Sequence, residues 1–333
     1  MITEILTTIP ATDPTNLLRL RDSVYSTDLL ITAVAHFEFF SWLDRNPAGI
    51  HGICTTLEIE QRPADVMLTL FKALDLIEER DGLYYLTKQS KDYLVDASPW
   101  SLGPYFASLK ERPICDAMLR VLKTGKPANW GAKRDEKEWA LAMEEDEFAK
   151  TFTAAMDCRG AYLAPVLAKT VELSGYERLL DIAGASGIYA SAIVYQHLHM
   201  STSVFEKPPV DGIARNAIIG RDMQDKIDVI AGDMFKDEFP EGFDVHLFSR
   251  VLHDWDFSDV KLLLKNSYRN LNPGGRIMIH DAHITTAKNG PLPVAEYSVL
   301  LMFASKGKCY SISEMEYVPT VANRSVIIGE KMG

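Results

Sequence analysis

A histidine and an aspartate near the ends of two β-rich runs could form an acid–base pair. His253 follows the run 243–249, and Asp281 lies at the end of the run 276–282. An imidazole is the natural general base near neutral pH, and a carboxylate beside it can orient the ring and stabilise its protonated form. The two residues therefore predict a reaction in which His253 removes a proton and Asp281 supports it.

Three other acids end three other β-rich runs, a pattern that indicates an adenosine ligand. They are Asp181 in the first run, Glu206 in the second and Asp233 in the third. An acid at the end of the second strand can accept hydrogen bonds from both ribose hydroxyls. Asp233 is followed by Met234 and Phe235, so it can bind an adenine amine while the thioether and the ring cover the base. Each acid alone could be an ordinary loop carboxylate, but the three together favour an adenosine site.

The first of these runs leads into a turn of small residues, Ala-Gly-Ala-Ser-Gly, at 183–187. Gly184 and Gly187 let the backbone approach a ligand closely, and the helix that follows offers free N–H groups. The dinucleotide fingerprint is incomplete, because no third glycine stands three residues after Gly187. The turn has no lysine or arginine for a phosphate, so a cationic sulfonium suits these acidic surroundings better.

The elements that must position these residues alternate between strand and helix. Alternation of this kind predicts a parallel sheet with helices on both faces, whose ligand lies at the carboxyl ends of the strands. A helix is expected at 258–271. The β-rich runs are 178–183, 201–206, 227–233, 243–249 and 276–282.

The first hundred residues have helical periodicity and end in a winged-helix pattern. Helices are expected at 53–59 and 63–79, followed by a turn and a short strand at 83–86. The helix that would read DNA has Lys72 and Arg80 as its only basic residues among four acids, so its expected use is packing.

This pattern predicts two domains of different character. Residues 1–100 are expected to form a winged-helix domain, in which one helix is apolar enough to pack in the core and against a partner subunit. Residues 101–333 are expected to form a helical linker and the catalytic domain. The length of 333 residues and the hydrophobic content of 47% agree with two globular domains.

Charge and cysteine usage exclude several classes of protein. The net charge of -11 disfavours a nucleic-acid partner, which needs clustered lysine and arginine. No basic leader with an apolar stretch precedes the first helix, and the apolar segment 28–43 is too short to span a membrane. We therefore expect a cytoplasmic protein with reduced thiols and no disulfide scaffold. The cysteines are Cys54, Cys115, Cys158 and Cys309.

Four segments together resemble the class I methyltransferases of the plant caffeate and hydroxyindole O-methyltransferase type and their bacterial relatives. They read LLDIAGASG, VFEKPPV, GDMF and LFSRVLHDWD, and the resemblance extends over nearly the whole chain. It implies a Rossmann-like class I sheet (an α/β fold) with a mostly helical N-terminal dimerisation domain. It also implies S-adenosylmethionine as cofactor, a homodimer, and methyl transfer to a hydroxyl of a small aromatic or polyketide-like molecule.

The resemblance also bears on individual residues. His253 in RVLHDW corresponds to the family's catalytic base, and Asp281 to the acid that supports it. Together with the turn and the strand ends, it predicts a cofactor site made of Asp181, Gly184, Gly187, Glu206, Asp233, Met234, Ser249 and Trp255. Phe152 and Met156 match positions of the acceptor pocket, and Met302 is a further apolar candidate.

The chain departs from the family's pattern at three places. The turn has Ala183 and Ala185 around Gly184, where the family usually has three glycines. In the stretch 306–311 Cys309 stands where the family has a second glutamate beside the base. Between 313 and 319 about one helix is missing.

These departures leave other reactions open. The same cofactor fold could methylate carbon or nitrogen, or catalyse a non-methylating reaction. One such variant would hold a metal ion with the residues His253, Asp254 and His280 or His283, although no ligand spacing is diagnostic and none is expected. A nicotinamide-dependent oxidoreductase would share only the fold, and a DNA-binding regulator only the winged helix. The HDW run and the incomplete fingerprint favour the methyl donor.

Overall fold

The computed structural model describes residues 6–128, 139–315, 321–323 and 326–330. Two compact units divide these residues between them. The sheet unit contains 6–13, 139–282 and the described residues from 315 onward, and the helical unit contains 14–128 and 283–314. No helix in the described ranges is both long enough and apolar enough to cross a membrane.

The helical unit begins with short helices followed by a hairpin. These elements are α1 (Thr15–Asp22), α2 (Ser26–Ala35), α3 (Phe39–Arg45), α4 (Ile50–Leu57), α5 (Gln61–Ala73), β1 (Ile77–Arg80), β2 (Leu83–Leu86), α6 (Lys88–Tyr93), α7 (Gly103–Ala107) and α8 (Pro113–Thr124).

The sheet unit follows with alternating helices and strands, as the β-rich runs predict. Its elements are α9 (Trp139–Ala142), α10 (Asp146–Thr170), β3 (Arg178–Ile182), α11 (Ile188–Gln196), β4 (Ser201–Glu206), α12 (Val210–Gly220), β5 (Ile227–Ala231), β6 (Phe243–Ser249), α13 (Phe257–Asn270) and β7 (Leu271–His280). The chain then returns to the helical unit with α14 (Leu292–Ala304) and α15 (Ile312–Met315), and ends in β8 (Val321–Asn323) and β9 (Val326–Glu330).

The seven strands of the described sheet unit have the order β5-β4-β3-β6-β7-β9-β8. The first five are parallel, and β9 pairs antiparallel with both β7 and β8. From β3 the chain adds β4 and β5 on one side of the sheet, and then crosses over to add β6 and β7 on the other side. Open α/β sheets bind their ligands at such a switch point, which lies here between β3 and β6. The fold class expected from the sequence is confirmed.

Helices cover both faces of the parallel strands, so the central strand is apolar on both sides. In β3, Leu179, Leu180 and Ile182 are fully buried. Leu179 belongs to a core cluster that also contains residues of α10 and α11. A second cluster joins β4 to α12 through Val204 and Ile218. This packing on both faces holds the strand ends in fixed positions, and those ends carry the predicted site.

The winged-helix pattern is present, but one of its boundaries differs from the expectation. The helix expected to continue to Glu79 ends at Ala73, because Asp75 takes a left-handed conformation with φ of 56°. Residues 77–80 instead form β1, in which Ile77 pairs with Leu86 of β2. A hairpin supplies the hydrogen bonds that a longer helix would have provided, so tertiary pairing overrides helical periodicity here.

The helix that would read DNA is largely built into the core of its own unit. Eight of the thirteen residues of α5 are buried, among them Met67, Leu70 and Phe71. The Lys72 ammonium donates to Glu79 at 2.6 Å and to the carbonyl of Ala287 at 2.8 Å. These contacts agree with the packing role expected from the sequence.

The third departure from the family's pattern lies partly in the described residues. The helix α15 has four residues, and a capping box starts it. The Ser311 N–H donates to Glu314 Oε2 at 2.7 Å, and the Glu314 N–H donates to Ser311 Oγ at 3.3 Å. The segment 316–320 lies outside the described residues.

Candidate active site

The register of the sheet brings the turn and two of the predicted acids together. Glu206 pairs with Ala231 at the end of β4 and β5, and the Gly232 N–H then donates to the Glu206 carbonyl at 3.0 Å. On the other side of β4, the Ala183 N–H donates to the carbonyl of Phe205 at 2.8 Å. The turn after β3, Glu206 and the segment after β5 therefore lie side by side at the carboxyl edge.

The turn 183–187 has a backbone that favours glycine at several positions. Gly187 precedes α11 with φ of 70°. A Cβ atom on Gly184 would lie 2.5 Å from Cγ of Asp181, so only glycine fits there. Ala183 and Ala185, with φ of 52° and 50°, occupy the left-handed region, which is unfavourable for an alanine by about 1–2 kcal/mol. The two alanines thus leave the turn more strained than three glycines would.

Asp181 lies beneath this turn. Its side chain has no exposed surface. Burial, together with the neighbouring charge of Glu206, raises the pKa of Asp181 to about 7. Asp181 thus packs under the turn, where it shapes the backbone around Gly184.

Glu206 is the acid nearest to the backbone of the turn. Its Oε2 accepts the N–H of Ala185 at 3.1 Å, and its Oε1 accepts the N–H of Lys207 at 2.9 Å. Burial raises the pKa of Glu206 to about 7, although both N–H groups favour the ionised form. The side chain remains partly exposed and can meet a ligand.

Asp233 begins a short polar loop after β5. Its Oδ1 accepts the Phe235 N–H at 3.0 Å, and its Oδ2 lies 2.9 Å from the Lys236 ammonium. Partial burial opposes ionisation, yet the Lys236 ammonium and this N–H hold the pKa of Asp233 below its ordinary value. Met234 is half-buried. The rings of Phe235 and Trp255 are packed edge to face, with their centroids 4.5 Å apart. In this loop an acid and a half-buried thioether therefore precede a pair of contacting aromatic rings in the chain.

His253 and Asp281 are hydrogen-bonded to each other. His253 lies in a single 3₁₀ turn after β6, and Asp281 directly follows β7. Ser249 pairs with His280 in the register of these strands, so the two segments leave the sheet next to each other. The imidazole Nδ1 donates to Asp281 Oδ1. In the neutral ring this leaves Nε2 unprotonated, which is the form that can accept a proton.

The pair is well shielded from solvent. His253 is 4% exposed and Asp281 is 6% exposed. Asp281 Oδ1 also accepts the N–H of Ala282 at 2.8 Å, which fixes the carboxylate. A second acid, Asp254, lies with its Oδ2 3.7 Å from His253 Nε2. The arrangement provides an oriented base with negative charge on both sides of the ring.

The histidine on β7 has a different partner. His280 Nδ1 is hydrogen-bonded to Ser249 Oγ at 2.8 Å, and its ring meets the edge of Tyr189 at 5.2 Å. Within the part of the chain that the structure describes, no three His, Cys, Asp or Glu side chains are grouped closely enough to hold a metal ion. The geometry of these residues gives no support to the metal-assisted variant.

The predicted acceptor residues belong to different units. Phe152 and Met156 lie half-buried on α10 of the sheet unit, where Phe152 stacks on Phe148 at 6.1 Å. Met302 is fully buried on α14 of the helical unit. Cys309, at the position of the family's second acid, is 2% exposed, and its N–H donates to Ser298 Oγ at 3.1 Å.

The residue before Cys309 is Lys308, whose positive charge is balanced by two carboxylates of the helical unit. Its ammonium is hydrogen-bonded to Asp65 and Glu314. Lys288 joins the same two carboxylates at 2.7 and 3.1 Å. These four charges anchor the stretch 306–311, which in the family carries an acid.

Three residues of the turn region escape prediction from the sequence. Asp157 and Arg221 both bind Ser186, although they are 29 and 35 residues away from it. Asp157 follows the predicted pocket residue Met156, and an acid in that helical stretch is a weak signal. Arg221 stands at the end of a helix where a basic residue is ordinary, so no sequence signal identifies it.

The chemistry of the residues at this edge of the sheet fits S-adenosylmethionine. A carboxylate has about four acceptor positions, so Glu206 retains capacity for two ribose hydroxyls after its bonds to backbone N–H groups. The acid–thioether–ring group at Asp233 suits an adenine. The turn 183–187 has no cationic side chain, which suits a cationic sulfonium better than a phosphate.

Comparisons with known proteins agree with this assignment. The model of the O-methyltransferase domain family matches residues 121–322. The 3-hydroxy-5-methyl-1-naphthoate 3-O-methyltransferase of Streptomyces sahachiroi is 31% identical over 90% of this chain and 86% of its own length. The L-tyrosine C(3)-methyltransferase of Streptomyces lavendulae is also 31% identical, over 86% of this chain and 80% of its own.

A solved structure is similar over almost the full length. The O-methyltransferase family 2 protein of Planctomyces limnophilus, in complex with apigenin, is 28% identical. It superposes with a TM-score of 0.86 over 98% of each chain. The protein therefore belongs to the O-methyltransferase domain family and is an S-adenosylmethionine-dependent O-methyltransferase.

Proposed function

We propose that the protein transfers a methyl group to a hydroxyl of a small aromatic or polyketide-like molecule, with His253 as general base. The observation that carries this proposal is the buried His253–Asp281 pair. A phenolic hydroxyl becomes a strong nucleophile as it loses its proton, and Nε2 of His253 is the atom that would accept that proton. The relatives that act on a hydroxynaphthoate or are crystallised with the flavone apigenin support an aromatic acceptor.

Asp281 supports the base in two ways. The bond from Nδ1 fixes the imidazole in the tautomer whose Nε2 is free of a proton, and the carboxylate stabilises the imidazolium that forms when the proton arrives. Asp254, 3.7 Å from Nε2, adds further negative charge. Bound S-adenosylmethionine supplies an electrophilic methyl group on a sulfonium.

The strand ends hold the cofactor in this proposal. Glu206 binds the ribose hydroxyls, Asp233 and Met234 bind the adenine, and Trp255 covers it together with Phe235. Gly184 and Gly187 allow close backbone approach, while Asp181 acts from beneath the turn. Ser249 acts through its hydrogen bond to His280 at the other side of the site.

The remaining residues of the proposal are apolar and are candidates for contact with the acceptor. Phe152 and Met156, which are half-buried on α10, supply apolar surface for a flat acceptor. Alignment of oxygen, methyl carbon and sulfur by such contacts can contribute about 7–11 kcal/mol to lowering the barrier. Met302 is fully buried within the helical unit, so it packs in the core of that unit.

Isotope-labelled cofactor tests the proposal directly. The enzyme is incubated with ¹³C-methyl S-adenosylmethionine and a panel of hydroxynaphthoates and hydroxyflavones, and the products are examined by NMR. We expect a labelled methoxy group on at least one acceptor class. If the protein binds the cofactor but labels no hydroxyl in the panel, the proposed acceptor class is wrong.

Carbon methylation is the second candidate, on two specific observations. One relative with 31% identity is a tyrosine C(3)-methyltransferase. In addition, buried Cys309 replaces the second acid of the O-methylating pattern. In the same NMR experiment this reaction would give a labelled methyl carbon bonded to a ring carbon.

We also propose that the protein forms a homodimer through its N-terminal helices. Apolar side chains are strongly exposed there: Leu17 by 73% and Leu20 by 76% on α1, and Trp100 and Tyr105 by 65% and 75% further along. Contiguous exposed apolar surface typically marks an interface, so these side chains are the first candidates for contact with a second copy of the chain.

Replacing Leu20 by glutamate should convert the dimer to a monomer, because the new charge would have to be buried without a partner. Size-exclusion chromatography with light scattering measures the mass. Leu262→Glu on α13, where the leucine is 51% exposed in the sheet unit, is the matched control and should remain dimeric. A wild-type protein that is monomeric at micromolar concentration would refute this proposal.

A further inference from the structure

The turn 183–187 needs support from outside itself. Ala183 and Ala185 hold left-handed φ angles of 52° and 50°. Such strain persists only where the surrounding structure holds the backbone in place. Within the turn, the hydrogen bond from the Gly187 N–H to the Gly184 carbonyl at 2.8 Å closes the loop but leaves the peptide of Ser186 to be held by other residues.

Two residues from separate elements hold that peptide, Asp157 and Arg221, and we call them together with Ser186 the Ser186 clamp. Arg221 Nη1 donates to the Ser186 carbonyl at 2.7 Å, and its Nη2 donates to Ser186 Oγ at 3.0 Å. The Ser186 hydroxyl donates to Asp157 Oδ1, and Asp157 Oδ2 lies 3.5 Å from Nη2. The clamp thus ties the turn to α10 through Asp157 and to the end of α12 through Arg221.

The clamp is largely removed from solvent. Ser186 is 1% exposed, and the side chains of Arg221 and Asp157 are 11% and 31% exposed. Burial raises the pKa of Asp157 and lowers that of Arg221, and the opposite charge of the partner counteracts each shift. Removing one partner of such a buried pair leaves the other charge uncompensated.

One hydrogen bond connects the clamp to the cofactor acid. The residue before Ser186 is Ala185, whose N–H donates to Glu206 Oε2. If the turn relaxes to a right-handed conformation, this N–H points elsewhere and Glu206 loses a donor that orients it. The clamp can therefore act on the ribose acid without touching the cofactor.

We infer that Asp157 and Arg221 are positioning residues for cofactor binding, which hold the turn through Ser186 in the conformation that receives S-adenosylmethionine. The inference rests on the proposed role of Glu206 and the turn as the cofactor site. It does not depend on the acceptor, because cofactor affinity can be measured without one.

The first test replaces Arg221 by methionine, which keeps the apolar stem and removes the donors. Calorimetric titration with S-adenosylmethionine and S-adenosylhomocysteine should give dissociation constants about 10–100-fold above wild type, as expected for losing a hydrogen bond to a charged donor. The matched control is Arg215→Met on α12. Arg215 is 48% exposed on its side chain and pairs with Asp211 at 3.7 Å, and its loss changes the net charge equally. Affinity of this control should stay within about twofold of wild type.

Glycine rescue separates positioning from general stability. In a background with both Ala183→Gly and Ala185→Gly, the turn adopts its angles without strain and should need the clamp less. Adding Arg221→Met to that background should weaken cofactor binding by less than about threefold, because the glycines remove most of the backbone strain that the clamp holds in place. If Arg221→Met fails to fold, Ser186→Ala takes its place, with a loss of about three- to tenfold and the same rescue.

Two results would overturn the inference while leaving the cofactor site in place. One is unchanged cofactor affinity in Arg221→Met or Ser186→Ala, even if the melting temperature falls. The other is an equal loss of affinity with and without the glycines. Failure of the wild-type protein to bind either ligand would refute the cofactor site itself and the inference with it.

Discussion

Replacing His253 by alanine should lower kcat by about 10²–10⁴-fold, the usual contribution of a positioned general base. The affinity for S-adenosylmethionine should stay within about twofold of wild type, because the two acids proposed to bind the ribose and the adenine, Glu206 and Asp233, lie at the ends of other strands. Steady-state kinetics with an acceptor from the NMR panel, together with calorimetry, measures the two quantities separately.

Chemical rescue adds a second readout. In the alanine variant, added imidazole should restore part of the rate, because it can enter the space of the missing ring and accept the proton in its place. His199→Ala is the control, since His199 is an exposed histidine of the sheet unit whose Nε2 bonds the carbonyl of Leu173. Equal losses of turnover and cofactor affinity in His253→Ala would contradict the role of a base.

Asp281→Asn distinguishes orientation from simple packing. The amide preserves the shape of the side chain but cannot stabilise the imidazolium, and its NH₂ group can hold the wrong tautomer. We expect a loss of kcat close to that of His253→Ala and, in the double variant, little further loss. A fully additive loss would mean that the two residues act independently.

The gathering of the candidate acids at one edge of the sheet can be predicted from the sequence. Asp181, Glu206 and Asp233 each follow a β-rich run, and parallel strands bring their carboxyl ends to one edge whatever the details of packing. The meeting of His253 with Asp281 has the same origin, because β6 and β7 are neighbours in register. Short runs with strong periodicity are therefore enough to place these residues.

Other features depend on tertiary contacts that no local pattern contains. The Ser186 clamp joins residues from α10, the turn and the end of α12, so its members have no common spacing. The strand 77–80 continues a helical pattern and becomes a strand because residues 83–86 pair with it. Residues 283–314 belong to the same compact unit as the N-terminal helices. A single boundary along the sequence cannot describe a unit made of two separate stretches.

Replacing Glu206 by alanine should raise the dissociation constant for S-adenosylmethionine by about 10²-fold. Two hydrogen bonds from ribose hydroxyls to a carboxylate contribute at least about 1.5 kcal/mol each, and about 3 kcal/mol corresponds to that factor. Turnover at saturating cofactor should change far less, because His253 and Asp281 are untouched. Asp228→Ala on the neighbouring strand β5 removes the same charge from an exposed side chain and should leave affinity within about twofold.

The raised pKa of Glu206 makes cofactor affinity depend on pH. With a pKa of about 7, the carboxyl is mostly protonated at pH 6 and mostly ionised at pH 8. The ionised form accepts both ribose hydroxyls and attracts the sulfonium, so affinity should rise by about tenfold between these values. Lys207 and Asp211 act on this carboxyl with opposite signs, and Asp181 below the turn titrates near the same pH.

The isosteric variant Glu206→Gln assigns the pH dependence to one residue. It keeps the side-chain volume but cannot ionise, so its affinity should be low and nearly constant from pH 6 to pH 8. Calorimetric titration at several pH values, with corrections for buffer ionisation, also counts the protons released on binding by wild type. If the affinity of Glu206→Gln still rises tenfold between pH 6 and pH 8, the titrating group is Asp181 and not Glu206. The ribose-binding role of Glu206 would then lose its electrostatic basis.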